Sequence, residues 1–292
     1  MQEVEVCQRA AARYNAIAML CIYRSASGYT IQKDDSFSIV ANFCFDELFD
    51  CPDPVDYVQS RFQAGDPSMR PEGHLLPPLA SQEIWAAGVT YFRSRDARME
   101  ESESSGGDRF YDMVYEAERP ELFFKATPAR CRGHLDKVCI RSDSTWDVPE
   151  PELTLAISST GKVFGYTIGN DMSSRSIEGE NPLYLPQAKV YKGSCAIGPC
   201  LVVGSLPEAQ AKIAIEIRRR DEVAFSGETE VSQIKRSFEE LAQFLFHDNE
   251  FPHGALLMTG TGIVPDSGFT LAKGDVIRIG IDGAGELENQ VE

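Results

Sequence analysis

The stretch that decides the fold runs from residue 150 to residue 171 and reads EPELTLAISSTGKVFGYTIGND. Two mainly apolar runs flank SSTGK, a cluster of residues typical of turns. Two such runs joined by a short glycine-containing segment predict an antiparallel β-hairpin. We expect the turn to place Ser159 opposite Lys162. In that register Asp171 falls opposite Glu150.

Three carboxylates share one face of this hairpin. Successive side chains of a strand alternate faces, so Glu150 and Glu152 share a face, which the register extends to Asp171. Directly opposed residues have Cβ atoms about 4.5–5.5 Å apart, where like charges destabilise a sheet. Either one carboxyl stays protonated through a raised pKa or a divalent cation lies among them, and three carboxylates favour the cation. An all-oxygen set suits a hard ion, so we expect Mg²⁺ first, with Mn²⁺ or Ca²⁺ as alternatives.

Two features of the hairpin bear on this prediction. Gly165 and Gly169 lie on the same face as Asp171, so we expect that face to be open enough for a ligand to approach the backbone. Glycine can instead mark a bulge. A three-residue loop would slip the register by one residue and separate the acids. The competing interpretation is a solvent-facing hairpin whose acids never meet.

Composition and charge exclude several classes of protein. The chain has 292 residues and a formal net charge of −17 at pH 7, which repels nucleic acid and anionic membrane surfaces. No run approaches the roughly 20 apolar residues of a membrane span, and residues 1–6 lack the basic stretch of a secretion signal. The eight cysteines form no C-x-x-C pair, so we expect reduced thiols. We therefore expect a cytoplasmic protein whose partners are neither nucleic acid nor membranes.

Short runs of β-branched and aromatic residues, separated by glycine, predict an α+β fold that is predominantly β. A passage rich in Pro and Gly before residue 80 indicates a small N-terminal domain, residues 1–80, followed by a larger, predominantly β domain, residues 81–292. Apolar periodicity predicts helices at 110–117 and 231–246. Residues 96–108 are charged and lack an apolar period, so we expect either a lid or an ordinary solvated loop.

Longer motifs extend from the acids toward the C-terminus. They are Glu150-x-Glu152, GYTIGND at 165–171 followed by Ser174-Arg175, Lys189, the Gly260-Thr261-Gly262 turn, and the segments 274–276 and 285–289. Through them the chain resembles the fumarylacetoacetate hydrolase superfamily over roughly residues 81–292. FFKATP at 123–128 and ENPLYLPQAK at 180–189 look most like its 2-keto-3-deoxy-pentonate dehydratases, the arabinonate and xylonate branch. The resemblance implies a mixed β-roll catalytic domain, a divalent metal held by Glu150, Glu152 and Asp171, and a homo-oligomer.

The resemblance also implies a reaction. A 2-keto acid chelates the metal through its carboxylate and ketone oxygens, and the metal stabilises the enolate formed when a proton leaves C3. Lys189 is the candidate base, and Glu121 is the candidate donor to the departing C4 hydroxyl, although the two roles can be exchanged. Glu178 is an alternative acid and a substrate contact. The expected product is an enol that tautomerises to 2,5-dioxopentanoate.

Further substrate contacts are expected at Lys125, Arg95 and Thr261, the last because a glycine on each side lets a ligand approach. Alternative activities of the same metal-enolate type are an acylpyruvate-type C–C hydrolase and a 2-keto acid decarboxylase. The superfamily's hydrolases place a histidine after a G-x-x-Y segment, whereas GVTY at 88–91 is followed here by SRDA at 94–97. An alternative of another class is a non-catalytic module that only binds a cation.

Overall fold

The acid-bearing hairpin lies at the centre of a large mixed sheet. The computed structural model describes residues 19–63, 65–91 and 113–292 of the chain. The two hairpin strands, Asp147–Ile157 and Val163–Ser174, are buried along nearly their whole length. Because both faces of these strands are covered by other parts of the chain, the acids they carry are interior groups.

The described residues form fifteen strands in two sheets. In chain order they are β1 (Leu20–Ser25), β2 (Gly28–Lys33), β3 (Ser36–Val40), β4 (Glu83–Gly88), β5 (Glu121–Ala126), β6 (Cys131–Arg132), β7 (Lys137–Val138), β8 (Asp147–Ile157), β9 (Val163–Ser174), β10 (Cys195–Val203), β11 (Lys212–Arg219), β12 (Glu222–Glu230), β13 (Ala255–Met258), β14 (Val276–Ile281) and β15 (Gly285–Val291). The larger sheet has the order β3-β2-β1-β10-β9-β8-β13-β4-β5, with β6 paired to β10, and the smaller has the order β12-β11-β14-β15-β7.

Most neighbouring strands are antiparallel. The parallel pairs are β10 with β6, β13 with β4 and β15 with β7, so both sheets are mixed. The predicted α+β class with a predominance of β structure is confirmed. No helix in the part of the chain that the structure describes is long and apolar enough to cross a membrane.

Residues assigned by sequence to the N-terminal domain extend the larger sheet. β1 pairs antiparallel with β10, and β2 and β3 follow to the sheet edge. The helices α1 (Phe45–Asp50) and α2 (Pro54–Gln59) come next, and Phe45 and Phe49 are buried in the same cluster as Met258 of β13. The division at residue 80 stays a prediction, and residues 1–18 lie outside the described part of the chain.

The two faces of β8 have different surroundings. Leu153, Leu155 and Ile157 pack in the cluster that contains the isoleucines of β11 and β14 from the smaller sheet, and each such side chain contributes about 1.5–3 kcal/mol on full burial. Glu150 and Glu152 occupy the alternate positions and therefore point away from the smaller sheet.

The register of the hairpin is the predicted one at the acids, but the turn is not. Asp171 pairs with Glu150. At the turn, the Ser158 N–H donates to the Lys162 carbonyl at 2.9 Å, so Ser158 rather than Ser159 lies opposite Lys162. The predicted turn was therefore wrong by one residue. Taken alone, that slip would have separated the acids.

A β-bulge cancels the slip. Ile157 pairs with Val163, whereas the next pair is Ala156 with Gly165, which leaves Phe164 as an extra residue on β9. The loop and the bulge each shift the pairing by one residue in opposite senses. The acids therefore meet although the turn is longer than the sequence suggested.

The remaining helices are short. α3 (Arg175–Glu180) begins directly after β9, and α4 (Leu185–Lys189) ends on a lysine. α5 is Phe238–Phe246. The first two connect the end of the acid-bearing hairpin to β10, so both lie on the chain between strands that border the acids.

The predicted helix at 231–246 starts too early. The Ser237 hydroxyl accepts a hydrogen bond from the Glu240 N–H at 3.1 Å and caps α5 at residue 238, which corrects the prediction. Of the predicted helix at 110–117, residues 113–116 are helical and 110–112 lie outside the described residues. Residues 96–108 also lie outside them.

Candidate active site

Three buried carboxylates form the centre of the site. Glu150 and Glu152 project from β8 and Asp171 from β9, and these residues each offer an oxygen within 4.8 Å of the other two. The residues are 4%, 1% and 0% exposed, so their charges are held out of water. The structure thus brings together the acids that strand alternation and register predicted.

Burial and mutual repulsion act on this cluster. Burial, followed by the neighbouring Asp171 and Glu150 carboxylates, raises the pKa of Glu152 well above its ordinary value of 4.5. Lys189 opposes the shift, as does the backbone N–H of Gly260, which donates to Glu152 Oε2 at 2.6 Å. A divalent cation among the acids would favour the ionised form of all three.

The ammonium of Lys189 lies against two of the three acids. Its Nζ donates to Glu150 Oε2 at 2.7 Å, to Asp171 Oδ2 at 2.9 Å and to Ser173 Oγ at 2.6 Å. Three acceptors match the three donors of a charged ammonium. The Phe123 ring lies on the same group, with its centroid 5.6 Å from Nζ. Lys189, predicted as the catalytic base, thus lies beside the centre, and it must give up one of these protons before it can accept one from a substrate.

Two further buried cations border the acids. Lys125 Nζ contacts Asp171 Oδ1 and donates to the backbone carbonyls of Met172 at 3.0 Å and Lys189 at 2.6 Å. Arg175 Nη2 donates to Glu150 Oε1 at 2.5 Å. Lys125 thus contacts Asp171, a candidate metal ligand, and the backbone of Lys189, the candidate base. Its expected role as a substrate contact stays a prediction.

A fourth buried carboxylate completes the charge balance. Glu178 lies with Oε1 3.7 Å from Lys189 Nζ and Oε2 3.9 Å from Arg175 Nε. These four carboxylates and the three buried cations leave a formal charge of one negative unit, to which the Glu121 carboxylate at the wall of the same cavity adds a second when it is ionised. A neutral Glu152 would reduce that excess, which agrees with the direction of its pKa shift. A bound divalent cation would offset the remaining excess and favour a carboxylate substrate.

One strand supplies three side chains to the site. Glu121 and Phe123 are two residues apart on β5 and share a face. The Glu121 carboxylate lies against Gly88, which lines the cavity around the acids. Trp85 pairs with Phe124, whereas the adjacent Ile84 pairs with Ala126. Lys125 is therefore the extra residue of a β-bulge, which changes the direction of its side chain.

The turn after β13 supplies a backbone donor and a hydroxyl. Gly260 has φ +90°, a region that favours glycine, and a Cβ there would lie 2.0 Å from Thr90 Oγ1. Thr90 Oγ1 donates to the Thr259 carbonyl at 2.6 Å and so fixes this turn. Thr261, an expected substrate contact, lines the cavity, and its Oγ1 donates to the Ile263 carbonyl at 3.2 Å.

The glycines of β9 do not open the site. A Cβ on Gly169 would lie 2.4 Å from Thr154 Oγ1 and 2.9 Å from Met258 Cε, and one on Gly165 would lie 2.1 Å from a carbonyl of β10. Both positions are filled by neighbouring chain, so the expectation of an open face was wrong. Arg95, the remaining predicted substrate contact, lies outside the described residues.

The donor set fits a hard divalent cation. Glu150, Glu152 and Asp171 offer only carboxylate oxygens, and within the described residues no histidine or cysteine belongs to this group. Mg²⁺ takes six oxygen ligands and commonly keeps several waters, so three carboxylates leave coordination positions for water and for a chelating acid.

Comparisons with known proteins agree with this geometry. The family described as fumarylacetoacetate (FAA) hydrolase C-terminal matches residues 91–292. A probable 2-keto-3-deoxyxylonate dehydratase from Haloferax volcanii is 49% identical over 220 residues, 75% of this chain and 75% of the relative. The chain belongs to the fumarylacetoacetate hydrolase family.

Two further relatives of this family member carry related names. The 2-dehydro-3-deoxy-D-arabinonate dehydratase of Saccharolobus solfataricus is 42% identical over 221 residues, 75% of this chain and 74% of the relative. A solved structure of 2-keto-3-deoxy-D-arabinonate dehydratase, complexed with magnesium and 2,5-dioxopentanoate, has a TM-score of 0.78 at 33% identity. It covers 94% of this chain and 98% of that one.

Sequence reasoning missed some of the groups that this fumarylacetoacetate hydrolase family member assembles around its acids. Ser173, which accepts from Lys189, lies two residues after Asp171, so strand alternation could have placed it beside that acid. Phe123 lies two residues after Glu121 and could have been found in the same way. Arg175 stood in a motif of the resemblance, but strand alternation could not fix its contact with Glu150, because β9 ends at Ser174 and Arg175 begins α3.

Proposed function

We propose that this chain is a Mg²⁺-dependent hydro-lyase that dehydrates a 2-keto-3-deoxy-pentonate to 2,5-dioxopentanoate. The observation that carries the proposal is the cluster of three buried carboxylates with an adjoining buried lysine, in a chain 49% identical to a probable 2-keto-3-deoxyxylonate dehydratase. The solved relative that contains magnesium and 2,5-dioxopentanoate supports both the ion and the product.

Glu150, Glu152 and Asp171 hold the ion in this proposal. When bound, Mg²⁺ polarises the ketone of a chelating 2-keto acid and so eases the loss of a proton from C3. Lys189, Lys125 and Arg175 keep the carboxylates ordered, since each contacts at least one of them. The acids are thereby fixed before substrate arrives.

Two residues move protons. Lys189 and Glu121 divide the work of removing the C3 proton and protonating the departing C4 hydroxyl, which leaves as water. The unsaturated product then tautomerises to 2,5-dioxopentanoate. Their placement supports this division, because Lys189 adjoins the acids and the Glu121 carboxylate lies against a wall residue of the same cavity.

The substrate carboxylate and hydroxyls require further polar groups. We assign these contacts to Thr261 and Glu178, to Lys125, and to Arg95. Thr261 lines the cavity, and Glu178 is buried 3.7 Å from Lys189. Both are therefore close enough to the acids to touch a five-carbon chain held there.

Product analysis tests the proposal. The purified chain is incubated with the 2-keto-3-deoxy acids of the arabinonate and xylonate series, with Mg²⁺ or with a chelator, and the products are identified by NMR. We expect 2,5-dioxopentanoate without carbon loss from at least one epimer, only when Mg²⁺ is present. Release of CO₂ would show a decarboxylase, and two acids from an acylpyruvate would show a C–C hydrolase.

A variant separates an enzyme from a module that only binds a cation. Lys189→Ala is expected to lose turnover while still binding Mg²⁺, measured by calorimetry, because the three carboxylates remain. If the wild-type chain binds Mg²⁺ but transforms none of these acids, the dehydratase assignment fails and the binding module is favoured.

We further propose a cytoplasmic homo-oligomer. The seven cysteines within the described residues are free, which suits a reducing compartment. Leu183 is 83% exposed and Met113 is 64% exposed, and apolar side chains of this kind are common at subunit contacts. Light scattering coupled to size-exclusion chromatography tests the assembly, and a monomeric mass at micromolar concentration would refute it.

A further inference from the structure

A glycine shapes the space in which the candidate acid lies. Gly88 ends β4 and pairs with Glu121 of β5. A Cβ built on Gly88 would lie 2.0 Å from Glu121 Oε2, 2.6 Å from Cδ and 3.3 Å from Cγ. The three nearest atoms therefore all belong to one side chain. That side chain folds back across the strand pair, over the position where any other residue would place its own side chain.

The conformation of Gly88 does not itself require glycine. Its φ lies outside the left-handed region, unlike that of Gly260, so an alanine could adopt the same backbone. The obstacle to a side chain at position 88 is the Glu121 carboxylate. Because Gly88 also lines the cavity that contains Glu150, Glu152 and Lys189, this obstacle lies at the wall of the site.

The backbone at this point cannot easily shift to make room. Val89, the next residue, has φ +54°, an unusual value for a β-branched residue. Thr90 is fixed on two sides, since its hydroxyl donates to the Thr259 carbonyl at 2.6 Å and its own carbonyl accepts from the Lys235 N–H at 3.0 Å. A side chain added at position 88 would therefore displace the Glu121 carboxylate rather than the strand.

We propose that Gly88 is a positioning residue, whose missing side chain admits the Glu121 carboxylate to the wall of the active site. The functional part of this inference rests on the proposed dehydratase activity. The structural part concerns only the packing of two side chains on neighbouring strands and can be tested without substrate.

The kinetic test is a double-mutant cycle. Gly88→Ala is expected to lower kcat by about 100-fold, the loss typical of a misplaced acid or base, while the Mg²⁺ dissociation constant changes less than about twofold. In the Glu121→Ala background the same substitution is expected to cause no further loss, because the side chain that it displaces is gone. Gly280→Ala is the matched control, since its Cβ would meet nothing closer than a carbonyl at 3.8 Å.

Thermal unfolding gives a second cycle that does not depend on activity. Gly88→Ala is expected to lower the unfolding temperature by about 3–6 °C, and the double variant Gly88→Ala/Glu121→Ala to recover most of that loss. If Gly88→Ala does not fold at all, the double variant is expected to fold. A double variant as unstable as Gly88→Ala, or equal kinetic losses in both backgrounds, would overturn the inference. If the wild type dehydrates no pentonate, the unfolding cycle still decides whether position 88 acts through Glu121.

Discussion

Replacing Lys125 by methionine tests whether buried cations hold the acid cluster together. Methionine keeps the length and nearly the volume of lysine but removes one charge and three donors. In the folded chain Lys125 Nζ is fully buried, contacts Asp171 Oδ1 and donates to the carbonyls of Met172 and Lys189. The substitution therefore leaves one carboxylate and two carbonyls without this partner.

The expected loss of stability follows from the burial of these groups. Removing one partner of a buried ion pair costs about 3–5 kcal/mol, because the remaining charge is left in a low-dielectric environment. The four buried carboxylates would then face two buried cations instead of three. Without Mg²⁺ we expect Lys125→Met to lower the free energy of unfolding by about 4 kcal/mol.

Mg²⁺ should reverse part of this loss. A bound dication supplies positive charge to the same carboxylates, so the variant gains more from the ion than the wild type does. We expect the loss measured in saturating Mg²⁺ to be smaller by at least about 1.4 kcal/mol, which by linkage corresponds to tenfold tighter Mg²⁺ binding in the variant.

Urea unfolding, followed by circular dichroism with a chelator or with saturating Mg²⁺, measures both quantities. Lys212→Met is the matched control: Lys212 is 55% exposed and pairs with Glu228 at 3.2 Å on the surface, so its loss should stay within about 0.5 kcal/mol in either condition. A Lys125→Met loss below about 1 kcal/mol, or one unaffected by Mg²⁺, would refute the argument.

Three other perturbations have expected outcomes. Asp171→Asn should abolish Mg²⁺ binding in calorimetry and turnover with it, while far-ultraviolet circular dichroism stays unchanged; retained binding would contradict the ligand assignment. Gly260→Ala should cost about 2–3 kcal/mol in urea unfolding, because φ is +90° and the new Cβ would lie 2.0 Å from Thr90 Oγ1. Burial lowers the pKa of His134 below its ordinary 6.5, and its Nδ1 accepts from the Glu288 N–H at 3.1 Å. The folded state thus binds fewer protons at His134 than the unfolded state does. The contribution of a neutral His134 to the free energy of unfolding is therefore present above pH 6.5 and is lost as the pH falls through its lowered pKa. His134→Asn should reduce this loss.

Strand alternation and hairpin pairing were sufficient to predict the acid cluster. Both are local properties: Glu150 and Glu152 share a face wherever β8 is extended, and the position of Asp171 depends on one short connection. The connection was mispredicted, yet the pairing at the acids was right because the bulge at Phe164 restores it. A bulge depends on how β9 packs against both of its neighbours, and local sequence does not report that packing.

The cations that surround the acids could not be placed from local pattern. Lys125 reaches Asp171 from β5, which lies at the far edge of the sheet order, and it does so at a bulge. Lys189 comes from the end of the short helix α4, and its contacts depend on how α3 and α4 fold back over β9. The resemblance to a family named both residues, but physical reasoning on the sequence alone gave no distance between them and the acids.

Glycine near a site was the least reliable signal, because glycine has several uses. Gly169 makes room for Thr154 and Met258, Gly88 makes room for Glu121, and Gly260 is required by its φ. In each case the missing side chain serves a neighbour within the protein rather than an approaching ligand. The sequence shows where side chains are absent, but only the packing shows what fills the space.

The balance of buried charges decides how the chain depends on its ion. A cluster of acids alone would need the metal in order to fold, as small metal domains do. Here Lys125, Lys189 and Arg175 offset three of the four fully buried carboxylates, and the raised pKa of Glu152 favours a proton on that residue. We therefore expect the chain to fold before the ion binds. Removing Mg²⁺ with a chelator should abolish turnover without unfolding the protein, and adding it back should restore activity within the mixing time.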